Sequence, residues 1–461
     1  MINKTQIIKT SSISNIFYGF SNILVNLILM PIFLEHWGVN LYGEWLLIVF
    51  SINGLVFLIQ PSITVDSVHL SRLFIDNKKF ESIKYFIVSS IKVLLYLIIF
   101  YLVFIFVTTF YLDKIQQKLT YVQDIKNIII FFFYCSALQL IQLVFFSLLR
   151  SRSLSYLATN LLSFKIIIII IFTYILFNTY DSTPSEYVKY LFIIESIILL
   201  IFVIRCSKFF YFKDIIKLTK SKINLNKYFF DKKLIIKKKY MFMFHSSELI
   251  NYNLLPILIG LFFKTSMVSI YNIHFLLSRI PKIMTTSLYQ AFRLELAQFK
   301  SSKSNYYYSL ILLSLSFWCF LLYLLIVPLI INELILYLSS NKINLDSKLF
   351  LLIFIFSSIE VFWKSLILPF ISSNNHEKIS KYYFLTTLIT FLTIIIFHEI
   401  KEISNFNFLF ILIFQNFFLL LFMINIFAKK FHKKPIDILR FIFKDFFNEI
   451  LKLFNKYFKK S

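Results

Sequence analysis

About twelve apolar stretches, each long enough to cross a bilayer, run along this 461-residue chain, and positive charge falls mainly on every second connecting loop. A hydrocarbon layer about 30 Å thick takes roughly 20 apolar residues per helix and requires each backbone N–H and C=O to be satisfied within it. A mean hydropathy of +0.77 with 59% hydrophobic residues has no soluble reading at this length. The expectation is an all-α, multi-pass membrane protein. The pattern predicts spans over 12–34, 43–62, 84–110, 127–149, 154–177, 187–205, 241–263, 267–290, 306–331, 348–371, 380–398 and 405–428.

An even number of spans puts both termini on one side. Lys4 and Lys9, Arg72, Lys78 and Lys79, Arg150 and Arg152, the 206–240 loop, Arg293, Lys300 and Lys303, Lys378 and Lys381, and the tail all mark that side. By the positive-inside rule it is cytoplasmic. The opposite loops hold Glu35, Asp113, Asp124, Asp181, Glu186, Glu333, Asp346, Glu399 and Glu402 with scattered lysines. The opening run after Lys4 and Lys9 superficially resembles a secretory signal, but it continues past Pro31 and lacks a small-residue cleavage site, so it is read as a retained first span.

The chain divides into a six-helix half over 1–205, a basic cytoplasmic linker over 206–240, a second six-helix half over 241–428 and a basic amphipathic tail over 429–461. Linker and tail interleave lysine with Phe, Ile and Leu, which suits attraction to anionic membrane lipid. In the tail, Leu439, Ile442, Phe446, Ile450, Leu453 and Tyr457 recur at helical spacing, so it is expected to lie on the membrane rather than span it. The formal charge of +25 would suggest nucleic acid in a soluble protein, but here the lysines flank apolar spans, and no nucleic-acid partner is expected.

Two halves of equal orientation imply a parallel repeat about an axis along the membrane normal. Faint echoes agree: Val39 to Tyr42 opens the second span, Val268 to Tyr271 opens the eighth, and Pro31 and Pro256 interrupt the first and seventh. All five glycines, Gly19, Gly38, Gly43, Gly54 and Gly260, lie in the leading spans of the halves or the loop between the first two. Bending capacity is therefore concentrated where an alternating-access transporter needs it.

Several chemistries are excluded. No GxxxxGK[ST] run or other glycine-rich phosphate loop exists, so ATP hydrolysis is not expected. Cys135, Cys206 and Cys319 are scattered and apolar in setting, which rules out a disulfide framework and a CxxC site. No metal ligand set and no cofactor is expected, and the short external loops lack the paired carboxylates of a glycosyltransferase. What remains is a set of ionisable groups at membrane depth, which are costly there and become candidates for function by default. Span seven holds His245, Glu248, Asn251 and Asn253, with Glu248 and Asn251 three apart on one face. Span eight holds His274 and Arg279 with Lys282 close by. If the two spans face each other, two cations and polar amides share one cavity, and Arg279 is suited to forking onto a phosphate. Against that stands pairing of Arg279 and Lys282 with Glu248, or snorkelling. Glu360 and Lys364 in span ten are four apart, in the order that favours an intrahelical pair. Lys92, Lys165 and Glu195 sit singly in spans three, five and six; Lys92 and Lys165 form a second tier of candidates. Glu44 opens span two and is expected at the interface.

The architecture, with Ser14 to Phe20, Leu29 to Leu34 and the Trp37-Gly-Val-Asn-Leu-Tyr-Gly-Glu-Trp45 element, resembles the polysaccharide-repeat flippases of the multidrug/oligosaccharidyl-lipid/polysaccharide (MOP) exporter superfamily, the O-antigen and capsule branch. The element after the first span is the most specific piece, with Trp37 where the family usually has leucine, and Tyr289 to Ala297 is a looser match. The resemblance implies a MATE-like fold in the bacterial cytoplasmic membrane. It also implies a non-enzymatic flippase that moves undecaprenyl-diphosphate-linked oligosaccharide outward, beside other polysaccharide-assembly membrane proteins. The cavity would be lined by spans one, two, seven and eight. Arg279, Lys282, His274, His245 and Asn251 would meet the substrate, Glu248 would serve ion coupling, and the cations would offset the cost of moving a diphosphate through hydrocarbon. An ion-coupled exporter of small molecules has the same fold, although such transporters usually carry a carboxylate in span one and this chain has none there. A membrane glycosyltransferase or polymerase and a structural scaffold are further alternatives.

Overall fold

The computed structural model describes residues 4–75, 81, 85–99, 101–102, 119–151, 154–180, 182–207, 232–298, 302–373, 375–401, 407–446 and 448. Its first-half helices are α1 (Lys4–Ile75), α2 (Tyr85–Ile99), α3 (Ile125–Ser151), α4 (Ser155–Thr179) and α5 (Pro184–Ser207). The later helices are α6 (Lys232–Leu249), α7 (Leu255–Phe262), α8 (Thr265–Ser278), α9 (Ile280–Gln298), α10 (Ser302–Ile326), α11 (Ile331–Leu338), α12 (Ser347–Ile371), α13 (Glu377–Lys401), α14 (Phe408–Phe431) and α15 (Pro435–Arg440). Among the described residues, eight helical stretches are long and apolar enough to cross a membrane. Most of the linker and the end of the tail lie outside the described residues.

These helices are apolar on both sides. On α5, Ile194, Ile198 and Phe202 are buried, while Ile193, Ile197, Leu200 and Ile204 are more than half exposed close by on the same helix. In water such a stripe would collapse or aggregate, whereas in lipid it needs no partner. The bundle is an all-helical membrane fold.

The Trp37–Trp45 element is a structural joint. Gly38 adopts φ +71°, a left-handed conformation that a side chain resists, and breaks α1 into two limbs there. Trp37 stacks on Phe33 and packs against Trp45 and Tyr187, and its indole N–H donates to the Ser182 carbonyl at 2.8 Å. Glu44, at the start of the second expected span, is 1% exposed and accepts the backbone N–H groups of Thr120, Tyr121 and Val122 at 2.8 to 2.9 Å. The segments that echo each other in sequence meet here, since the Ser269 hydroxyl donates to the Val39 carbonyl at 2.7 Å and Asn272 donates to the Tyr42 hydroxyl at 3.3 Å. Gly43 allows this approach, because a Cβ there would sit 2.0 Å from the Thr265 carbonyl oxygen.

Two interruptions shape the second half. A π-helical turn, Ile250–Leu254, precedes Pro256 and joins α6 to α7. Expected span eight is broken at Arg279, between α8 and α9. Pro281 lacks the N–H that would bond the Leu277 carbonyl, and the Tyr323 hydroxyl from α10 donates to that carbonyl at 2.6 Å instead. The most enclosed span is α12, with 72% of its apolar window buried against 28% to 44% for the others. It lies amid α8, α9, α10 and α14.

The tail corrects its predicted face. Ile438, Ile442 and Phe446 are buried against the bundle, and Trp318 on α10 donates to the Ile442 carbonyl at 3.3 Å. Leu439 points outward instead, together with Ile436 and Phe443.

Candidate functional site

The enclosed α12 carries the two charges around which the site is built. Lys364 reaches back one turn to Glu360 at 2.6 Å, the predicted intrahelical pair, and reaches across to Glu248 on α6 at 2.7 Å. Glu360 holds Lys282 of α9 on its other oxygen, so Lys282 pairs there and not with Glu248. His245 lies 2.9 Å from Glu248 through Nδ1. The result is a connected chain, His245–Glu248–Lys364–Glu360–Lys282, crossing three helices. Its side chains are between 1% and 16% exposed. Charges this deep persist only when each has a partner, which the chain provides.

Tyr252 sits over the middle of this chain and was not apparent in the sequence. Its hydroxyl accepts from Lys282 at 2.5 Å, and its ring lies under the Lys282 ammonium at 4.3 Å and the Arg279 guanidinium at 4.6 Å. The signal was there, since Tyr252 follows Glu248 by four positions and so shares its face. Asn251, three positions on, takes another direction. In a π turn the period lengthens, and Asn251 donates to the Tyr383 hydroxyl at 3.2 Å while Asn253 donates to the Phe50 carbonyl of α1 at 3.0 Å.

Arg279 occupies the break between α8 and α9, where the helix is interrupted and a long side chain can turn inward. Its guanidinium stacks on Phe275 at 4.2 Å as well as on Tyr252. Among the described residues it forms no ion pair, and its Nε lacks a hydrogen-bond acceptor. The site thus holds three basic side chains, Arg279, Lys282 and Lys364, against two carboxylates, Glu248 and Glu360. The surplus positive charge rests on the one group whose planar fork suits a phosphate or carboxylate.

Other predicted residues lie elsewhere. His274 is fully buried, with Nδ1 at 2.8 Å from the Ile270 carbonyl and Nε2 accepting the Asp346 N–H at 2.9 Å. Both nitrogens therefore serve backbone, Nδ1 within α8 and Nε2 at the start of α12, as the neutral Nδ1–H tautomer allows, and the ring is not among the charged groups. Lys165 is not single: it pairs with Glu195 at 2.7 Å inside the first half, where Gln139 and Gln142 also donate to Glu195 at 2.8 Å. Lys92 is partly buried on α2, also in the first half. Asp66 lies beyond 62, where the second span was expected to end. Instead α1 continues, and Asp66 is buried, accepting from Tyr85, from Ser89 at 2.7 Å and from Lys238 of α6 at 2.9 Å. Lys238, expected to face anionic lipid from the linker, is thus tied to Asp66 across the halves.

No protein-family model matches the sequence, and no curated protein matches it. Solved structures do match at the level of fold. One is a MATE transporter in complex with MaL6, at a TM-score of 0.68 and 12% identity over 93% of this chain and 97% of that one. This chain has the MATE-type fold. The MATE multidrug transporter DinF-BH, in a ligand complex, is similar to the same degree, at a TM-score of 0.68 and 10% identity over 92% and 95% of the two chains. A MOP-superfamily transporter from Pyrococcus furiosus, for which a reversed polarity of the binding pocket suggests a different function, matches with a TM-score of 0.67 and 11% identity over 93% and 96%.

Proposed function

We propose that this protein is a bacterial cytoplasmic-membrane flippase for polyprenyl-diphosphate-linked oligosaccharide, with Arg279 and the neighbouring ion chain receiving the diphosphate. The observation that carries this reading is the surplus cation: Arg279 is aromatic-stacked, half-buried and makes no ion-pair contact with a carboxylate among the described residues. An anion is the ligand that such a site lacks. A diphosphate also competes with Glu248 and Glu360 for Lys364 and Lys282. Protonating either carboxylate releases a lysine to the substrate, and this exchange ties proton movement to the anion. The resemblance of the Trp37–Trp45 element to the repeat-unit flippases supports the same reading.

A small-molecule exporter is the second reading, favoured by the drug-transporter neighbours. Complementation separates the two. The gene is expressed in a strain that lacks its own repeat-unit flippase but keeps the rest of the pathway, and surface polysaccharide and lipid-linked intermediates are measured. Restored surface glycan with a fall in accumulated intermediate supports the flippase. Absence of rescue in its native glycan pathway by well-inserted protein, together with energy-dependent efflux of a cationic dye, overturns it in favour of the exporter.

A further inference from the structure

A second basic site lies at the end of the bundle where α12 stops, α13 begins and α14 ends, remote in sequence from Arg279. A cavity of about 570 Å³ opens there, lined by Lys378 at the start of α13 and by Lys429 and Lys430 at the end of α14, with Glu377 as the single acidic lining residue. The four charges sum to a surplus of two positive. Lys378 and Lys429 are exposed. Lys430 is fixed in place: its ammonium donates to the Pro369 carbonyl at 3.1 Å and lies 4.0 Å over the Phe370 ring. The carbonyl end of α12 is thereby neutralised inside the cavity, and the first N–H groups of α13, a helix of 25 residues, add positive potential.

The cavity walls are partly apolar. Phe370 and the partly buried Ile426 line it, and the face of α14 on which Phe414, Phe418 and Leu421 are exposed lies on the adjoining flank of that helix. Just beyond, α15 and the π-helical turn that follows it, Phe441–Asp445, dock one face on the bundle and turn Ile436, Leu439 and Phe443 outward between the exposed Lys433, Lys434, Arg440 and Lys444. A docked helix with an apolar outer edge flanked by cations belongs in the headgroup layer of a bilayer, so the cavity opens at headgroup depth. We propose that this cavity is a binding site for an anionic phospholipid, its headgroup phosphate held by Lys378 and Lys429 beside the start of α13 and its acyl chains lying along Ile426 and the outer face of α14. A free phosphate offers the same anion without the chains, and charge together with apolar wall commits the site to the lipid.

The test uses the full-length protein in detergent, with phosphatidylglycerol or phosphatidylcholine of the same chain length added, and counts retained lipid by native mass spectrometry. Phosphatidylglycerol adducts should exceed phosphatidylcholine adducts, and Lys378→Gln with Lys429→Gln together should weaken phosphatidylglycerol retention by about tenfold or more, since each lysine near such a headgroup contributes about a factor of five. Lys430 is left intact because it joins two helices. A control pair, Lys433→Gln with Lys444→Gln, carries the same charge loss outside the cavity and should leave retention within about twofold. Equal loss in both pairs shows a diffuse field and overturns the site, as does no loss in the first pair. Displacement of the lipid by millimolar inorganic phosphate overturns the lipid assignment in favour of a soluble anion. Unaltered thermal unfolding of the variants shows that any loss arises at the cavity.

Discussion

Arg279→Ala discriminates a cation kept for a substrate from one kept for the fold. In this structure Arg279 has two aromatic contacts, at 4.2 and 4.6 Å, and no ion pair among the described residues. Removing it strands no carboxylate. The loss to stability is that of two partly desolvated cation–π contacts, about 1–3 kcal/mol in all. A two-pronged guanidinium contact to phosphate is worth about 1.5–3 kcal/mol, so transport of a diphosphate-linked substrate should fall about 10- to 100-fold while protein in the membrane stays near normal. Arg279→Lys keeps the charge but not the fork and should fall between the two. Surface glycan is scored in the complementation strain against protein quantified by immunoblot, then flipping is measured in proteoliposomes. Wild-type transport by Arg279→Ala at wild-type abundance refutes the assignment of this cation to the substrate, and disappearance of the protein shows that the residue serves the fold.

Lys282→Met should behave oppositely, costing about 3–5 kcal/mol because Glu360 loses one of its two lysines in a buried setting, and adding Glu360→Gln should recover part of the loss in thermal unfolding. A double variant no more stable than Lys282→Met alone would mean that the pair is not the source of the cost. Gly43→Ala drives a methyl to 2.0 Å from the Thr265 carbonyl oxygen, a backbone atom that cannot step aside, so the unfolding temperature should drop, whereas Gly54→Ala, whose nearest neighbour is 3.7 Å away, should be nearly silent. Similar melting of the two would contradict the close approach. Tyr323→Phe removes the hydroxyl donor from the Leu277 carbonyl, which keeps a backbone N–H at the end of α8, so it should cost about 0.5–1.5 kcal/mol, and the penalty should shrink in a Pro281→Ala background, where a further backbone N–H returns; an undiminished penalty there would show that the hydroxyl acts elsewhere.

Each layer of this protein was legible to a different degree. The all-helical membrane character follows from the sequence, because a bilayer enforces long apolar runs with internally satisfied backbones, and that constraint acts on each segment alone. Glu360 and Lys364 were likewise readable, being one turn apart on one helix. So was the demand that Glu248, Arg279 and Lys282 find partners, since charge is costly wherever it sits in hydrocarbon.

The partners of those charges were decided by packing. Which lysine meets which carboxylate depends on how α6, α9 and α12 face one another, and local periodicity holds no record of that. The π turn moved Asn251 off the line of Glu248 and left Tyr252 on it. His274 and Lys165 show the same dependence, one absorbed by backbone at the start of α12 and the other by Glu195 on the next helix. The sequence by itself determined that this chain lives in a membrane and that certain charges must be answered there, because transfer from water to hydrocarbon is priced residue by residue. Only the tertiary structure decided how they are answered and that Arg279 is left over, because pairing is a relation between helices far apart in the chain.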